Sequence, residues 1–204
     1  MNHRAAHRFL WELLRKKIMA QHDTPTHSGA AITTLKIQPY EGGAIPMAST
    51  AVLDGGWLDP VYAKAQDNTS PPLEWTAVLE AETYVLIVED PDAPREKPFV
   101  HWMLWNIPGQ LTALPANIAK TLHPEGLEGL MQGENTLGEH GWTGMAPPQG
   151  HGVHHYHFQL FALNKRLDFG PNTQLEELVN ALRGNTIAKG ELVGLYETPD
   201  LAAG

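Results

Sequence analysis

Two carboxylates, Asp90 and Asp92, alternate with Pro91 and Pro94 directly after the apolar run Tyr84–Val88. Proline fixes φ and stiffens its neighbours, so these side chains are held in place. A pair of this kind either caps nearby backbone N–H groups in an Asx-type turn or lines a site that needs negative charge. His101 lies inside an aromatic stretch with Trp102 and Trp105. A histidine there is either a locally bonded core residue or a group able to gain charge near neutrality. His154 and Tyr156 follow the glycine-rich segment 133–152. Glycine lets a backbone approach a ligand closely and present its N–H groups to an anion. Each element is ordinary alone. Together, Asp90, Asp92, His101 and His154 at neighbouring strand ends have the chemistry of a pocket for a small anion.

Those residues need strands to bring them together. Tyr84–Val88 is short and apolar at every position, as in a strand buried on both faces. Phe99–Ile107 is a second such run and stops at Pro108-Gly109. Val153–Leu163 alternates: His154, Tyr156, Phe158, Leu160 and Ala162 share one face, and His155 and His157 share the other, wetter one. His154 and Tyr156 therefore sit at the inner mouth of a sheet. Ile32–Ile37 reads as a first strand, residues 110–132 as a long connection and Glu191–Tyr196 as a closing strand. Leu175, Leu178, Val179 and Leu182 recur at helical spacing, with Asn172 or Thr173 as N-cap and Gly184 after the end. The pattern predicts six to nine strands with a helix attached.

The chain has 204 residues, 42% hydrophobic and 18% charged, with Gly 19 and Pro 16, which suits a turn-rich domain with a sizeable core. A net charge of −9 argues against nucleic acid or an anionic membrane surface as the main partner, so an anion has to be held by local geometry. With Cys 0, disulfides, thiolate nucleophiles and Cys-ligated zinc are excluded. Basic residues flank Phe9–Leu14, but Glu12 interrupts the run, so it does not read as a signal peptide. No stretch approaches the roughly 20 apolar residues of a spanning helix. The expected organisation is a leader and linker over 1–31, then one domain over 32–204, in the cytoplasm.

Several stretches resemble the phosphatidylethanolamine-binding proteins, also called Raf kinase inhibitor-like proteins, and in particular their bacterial and archaeal branch. They are Asp54-Gly55-Gly56, Ser70-Pro71-Pro72-Leu73, Val88–Pro94, Phe99-Val100-His101-Trp102 and Asn106-Ile107-Pro108. Gly141-Trp142-Thr143-Gly144, Pro147–Gly152, His154–Tyr156 and Ala188–Tyr196 continue the likeness, which spans roughly residues 45–197. The resemblance implies a mainly β, sandwich-like fold with one or two peripheral helices and long loops. It also implies a pocket for a small anion, phosphate or a phospholipid headgroup such as phosphoethanolamine, lined by Asp90, Asp92, His101, Gly144, Pro148, His154 and Tyr156. A cis peptide at Ala93–Pro94 and, for some members, inhibition of a protein kinase or protease are implied as well. A homodimer is compatible with it. Met145 stands where relatives carry proline, which is expected to loosen the pocket mouth. His155 stands where they carry arginine, removing a permanent charge.

Two aspartates beside an anion repel it. At about 4 Å, like charges cost about 1 kcal/mol in water and several times more near a partly buried surface. Protonated His101 and His154, a protonated aspartate, or a cation carried by the ligand would each relieve this. An ethanolamine headgroup brings such a cation. The reading is therefore non-enzymatic anion binding, with no cofactor and no metal. The competing reading is a metal-dependent hydrolase built on the aspartates, His101 and the cluster His151, His154, His155 and His157. Strand geometry opposes it, since the adjacent His154 and His155 face opposite ways.

Overall fold

A strand that is apolar at every position needs cover on both faces, and the computed structural model, describing residues 31–40 and 42–199, supplies it. In chain order the strands are β1 (Gly43–Ala44), β2 (Met47–Ala48), β3 (Gly56–Trp57), β4 (Leu73–Trp75), β5 (Thr83–Asp90) and β6 (Phe99–Pro108). They continue with β7 (Ala113–Leu114), β8 (Met131–Gln132), β9 (His154–Leu163) and β10 (Thr186–Tyr196). The helices are α1 (Thr33–Lys36) and α2 (Leu175–Leu182). The large sheet runs β1-β10-β9-β5-β6-β8, with β3 also pairing β10, and a small sheet runs β2-β4-β7. β5 is antiparallel to both β6 and β9. Its carboxyl end therefore meets the amino ends of both neighbours, and that is where the candidate residues lie.

Period-two geometry sorts the core into two layers. Tyr84, Leu86 and Val88 join Trp102, Leu104, Tyr156, Phe158 and Leu160 between the sheets, covered by Ile45, Leu73, Trp75 and Leu114. Val85 and Ile87 face the other way and pack with Met103, Trp105, Phe161, Leu163 and the α2 residues Leu178, Val179 and Leu182. The fold is mainly β and sandwich-like with two peripheral helices, as the sequence led us to expect.

The details differ in several places. Ile32–Ile37 is not a strand: Thr33–Lys36 forms the helical turn α1. Its backbone donors are taken by side chains of the sheet, Thr33 N–H by Glu89 Oε2 at 2.7 Å and Thr34 N–H by Gln159 Oε1. Such bonds replace the strand ladder that the apolar ends had suggested. The connection 110–132 contains the two short strands β7 and β8, which raises the number of strands among the described residues to ten. The α2 N-cap is Gln174, whose N–H donates to Glu177 Oε2 at 2.8 Å, and Thr173 instead bonds Gly170 O. No cis peptide occurs among the described residues, so Ala93–Pro94 is trans. Arg95 N–H donates to Ala93 O at 2.7 Å across Pro94, a tight turn that proline's fixed φ suits in the trans form. The expected leader and linker lie outside the described residues, apart from Ala31. None of the described helices is long and apolar enough to cross a membrane.

Candidate functional site

The two oxygens of Asp90 have different partners. Its Oδ1 accepts from the N–H groups of Asp92 at 2.8 Å and Ala93 at 3.2 Å, closing the Asx turn. Its Oδ2 accepts from Nδ1 of His154 at 2.7 Å and lies 3.9 Å from Nε2 of His101. Burial pushes the Asp90 carboxyl up. The bonds and charges of His101 and His154 outweigh it and bring the pKa down to about 2, from an ordinary 3.8. Of the two contacts, the 2.7 Å bond to His154 is the hydrogen bond; His101 acts from ion-pair distance.

His101 owes its aim to a β-bulge. Val88 pairs with Trp102 and Glu89 pairs with Val100, so His101 has no opposite residue on β5. A bulge re-aims one side chain, and here the ring turns to the side of Asp90. It packs against Phe99, Trp142 and Tyr156, with centroids 4.5, 5.9 and 5.0 Å away. Nδ1 lies 2.7 Å from the Thr143 carbonyl, and a carbonyl only accepts, so Nδ1 carries the proton. Nε2 is buried without a hydrogen-bond partner among the described residues.

A cavity of about 240 Å³ opens here, lined by Asp90, His101, Gly144, Pro148 and His154 together with Lys64, Arg95, Phe99, Leu137, Thr143 and Ala146. Five of the seven residues expected at the pocket thus share one wall. Asp92 and Tyr156 stand behind it. Asp92 Oδ2 turns to His155, accepting from its backbone N–H at 2.8 Å and pairing with its Nδ1 at 2.7 Å. Tyr156 is fully buried against His101. Burial, then the charges of Asp90 and Asp92, holds its phenol well above the ordinary range, so it stays a neutral hydroxyl.

Gly144 is a glycine for a different reason than an exposed N–H. A Cβ there would meet Tyr62 O at 2.4 Å and Lys64 N at 2.5 Å, and its N–H is already donated to Asn68 Oδ1 at 2.8 Å. Met145 does not loosen the mouth. It is 1% exposed within the inter-sheet core, and its carbonyl accepts from Lys64 N–H. The sequence reading missed the cationic rim, Lys64 and Arg95, both exposed. Arg95 follows the acidic-proline motif immediately and sits 5.5 Å over the Phe99 ring; adjacency to the motif was a usable signal. Lys64 lies in a connection without pattern and gave none. His151 was noted only as part of a histidine cluster, yet its Nδ1 lies 2.7 Å from His154 Nε2.

A larger cavity of about 500 Å³ lies on the α2 side of the sheet. Its buried charged residue, Glu89, is bonded to Thr33 and Gln159, and no histidine lines it. The smaller cavity holds the concentrated chemistry. Among the described residues, no group of three or more His, Cys, Asp or Glu is arranged to hold a metal ion. His155 and His157 share a face, as expected, but each is tied to its own carboxylate, Asp92 and Glu191.

Residues 48–197 match the family model described as phosphatidylethanolamine-binding protein. A UPF0098 protein of Pyrococcus abyssi is 44% identical over 159 residues, covering 76% of this chain and 88% of that protein. The UPF0098 protein YbcL of Escherichia coli is 35% identical over 132 residues, covering 64% of this chain and 72% of its own. The solved structure of E. coli YbcL, described as a new member of the mammalian family, superposes with a TM-score of 0.71 at 30% identity, over 77% of this chain and 100% of that one. A homologue from Chlamydia trachomatis gives a TM-score of 0.68 at 33% identity, over 77% and 99%.

Proposed function

The chain belongs to the phosphatidylethanolamine-binding protein family, and from that premise we propose that its small cavity binds an oxyanion, phosphate or a headgroup such as phosphoethanolamine, without chemical turnover. One observation carries this reading. His101 Nε2 and Thr143 Oγ1 are buried, polar and without a hydrogen-bond partner among the described residues, and both residues line the cavity. Leaving such a group unsatisfied costs about 1–3 kcal/mol, so a polar guest that engages them recovers stabilisation unavailable to the empty fold. Lys64 and Arg95 at the rim supply the attraction that a chain of net charge −9 does not provide at long range.

A metal-dependent hydrolase is the weaker reading, since the carboxylates and imidazoles pair with one another and do not converge on a common point. Titration calorimetry with inorganic phosphate and phosphoethanolamine tests the proposal. Saturable binding is expected for the wild type, weakened at least tenfold in His101→Ala. Absence of saturable binding by either ligand, or an unchanged affinity in the variant, overturns it.

A further inference from the structure

Hydrogen-bond donors at the floor of the cavity are already spent. Asp92 N–H and Ala93 N–H are donated to Asp90 Oδ1. Thr143 N–H goes to His101 O at 2.9 Å and Gly144 N–H to Asn68 Oδ1 at 2.8 Å. His101 Nδ1–H goes to Thr143 O. His154 uses Nδ1 on Asp90 and Nε2 on His151, each at 2.7 Å, so neither nitrogen is left for a guest whichever of the two histidines holds the shared proton. What faces the guest is an excess of acceptors: the Asp90 carboxylate and, 3.9 Å from it, His101 Nε2, which presents a lone pair in the Nδ1–H tautomer that the Thr143 carbonyl selects. The Thr143 hydroxyl is an unspent donor among the lining residues, the equally unpartnered Tyr156 hydroxyl stands behind the wall, and Lys64 and Arg95 stand at the exposed rim.

We infer that the cavity selects oxyanions that bring a hydrogen-bond donor of their own, a P–OH or an attached ammonium, and discriminates against oxyanions that bring none. The inference deepens the oxyanion reading and rests on it. An oxygen without a proton set against Asp90 Oδ2 and His101 Nε2 meets two lone-pair acceptors and is repelled, whereas a P–OH or N–H donates to either of them. The asymmetry between a satisfied and an unsatisfied buried polar pair is what lets a site reject a close analogue. Acidification relaxes the selection, because a phosphate monoester regains a P–OH as pH falls through about 6 and can then donate to His101 Nε2. The ionisable groups around that nitrogen are Asp90 from β5, Asp92 and Arg95 from the turn after it, His154 and Tyr156 from β9, and Lys64 from the connection before β4.

Four ligands test the inference by calorimetry on the full chain at pH 7.5. Inorganic phosphate retains a P–OH at this pH, and phosphoethanolamine carries an ammonium. Methyl phosphate, whose second pKa is near that of phosphorylated side chains at about 6, is then a bare dianion, and sulfate has no proton to offer. Phosphate and phosphoethanolamine are expected to bind at least tenfold more tightly than sulfate and methyl phosphate. If phosphate alone of the first two binds, the donor is the P–OH; if phosphoethanolamine alone binds, it is the ammonium. Lowering the pH to 5.5 is expected to bring methyl phosphate to within threefold of phosphate. Asp90→Asn, which keeps an acceptor for the Asx turn and turns an N–H₂ toward the cavity while His154 moves its proton to Nε2 and the His151 bond, is expected to cut the phosphate-to-sulfate ratio at least fivefold. Equal affinity for all four ligands at pH 7.5 overturns the inference while the oxyanion reading stands. No saturable binding by any of them overturns the oxyanion reading itself.

Discussion

Nδ1 of His154 donates to Oδ2 of Asp90 at 2.7 Å, while Oδ1 of the same carboxylate closes the turn through Asp92 and Ala93. One side chain thus ties the ends of β5 and β9 together and shapes the cavity floor. Its folded pKa of about 2 lies below the ordinary 3.8. The charged form is therefore favoured by folding: the contribution is fully present above about pH 4 and is lost as pH falls through about 2. The shift corresponds to about 2 kcal/mol. Urea denaturation between pH 5 and pH 2 is expected to show the wild type losing that amount more than Asp90→Asn. Equal pH slopes for the two proteins would contradict the coupling.

Gly144 makes the cavity wall sensitive to a single methyl group. Ala at this position sets Cβ against the backbone of Tyr62, Ala63 and Lys64 at 2.4 to 2.6 Å, none of which is a flexible chain end. The segment has to move, at a cost of about 1–3 kcal/mol, and Lys64 moves with it. Gly144→Ala is expected to lower thermal stability and phosphate affinity together. Gly150→Ala, where a Cβ meets nothing within 4 Å but φ is 72°, is expected to cost about 1–2 kcal/mol of backbone strain and leave affinity within twofold. Melting curves and calorimetry on the two variants separate these effects.

The layers of the fold were legible because burial writes directly into pattern. Tyr84–Val88 has no polar position because both of its faces are covered, and His154 to Ala162 alternates because one face is core from the first residue. The site was legible in composition and not in aim. His101 is turned by a bulge whose cause is the pairing of β5 with β6, and no local signal carries that register. α1 escaped for a related reason: its donors are met by Glu89 and Gln159, 56 and 125 residues away in sequence. Lys64 reaches the rim through the contact of Tyr62–Lys64 with Gly144, another long-range fact.

His101 is expected to carry its proton on Nδ1 in the ligand-free protein at neutral pH, because Thr143 O accepts there at 2.7 Å. Nitrogen chemical shifts report each ring nitrogen separately, so ¹⁵N-labelled histidine gives a direct reading. The expected pattern for His101 is a protonated Nδ1 and a bare Nε2, with the Nε2 signal moving most on addition of phosphate. A protonated Nε2 in the free protein at pH 7.5 would remove the lone pair on which the selection argument depends.

The family resemblance implies arginine at the place of His155, and the geometry around Asp92 shows what that exchange involves. Asp92 Oδ2 receives both contacts from His155, at 2.8 and 2.7 Å, while Oδ1 is buried without a hydrogen-bond partner among the described residues. A single imidazole N–H reaches one oxygen. A guanidinium fork reaches two and holds its charge at every working pH. The His155 side chain is 19% exposed, so the site is partly open to solvent. His155→Arg is therefore expected to raise stability by about 1 kcal/mol, discounted from a fully buried pair because the site is partly open to solvent. The gain comes from the fork reaching both oxygens and from a charge that no working pH removes. Denaturation curves of His155→Arg and His155→Met at pH 7 decide the matter: the arginine variant should gain and the methionine variant should not, and an equal gain in both would place the benefit in packing along the stem and not in the charged fork.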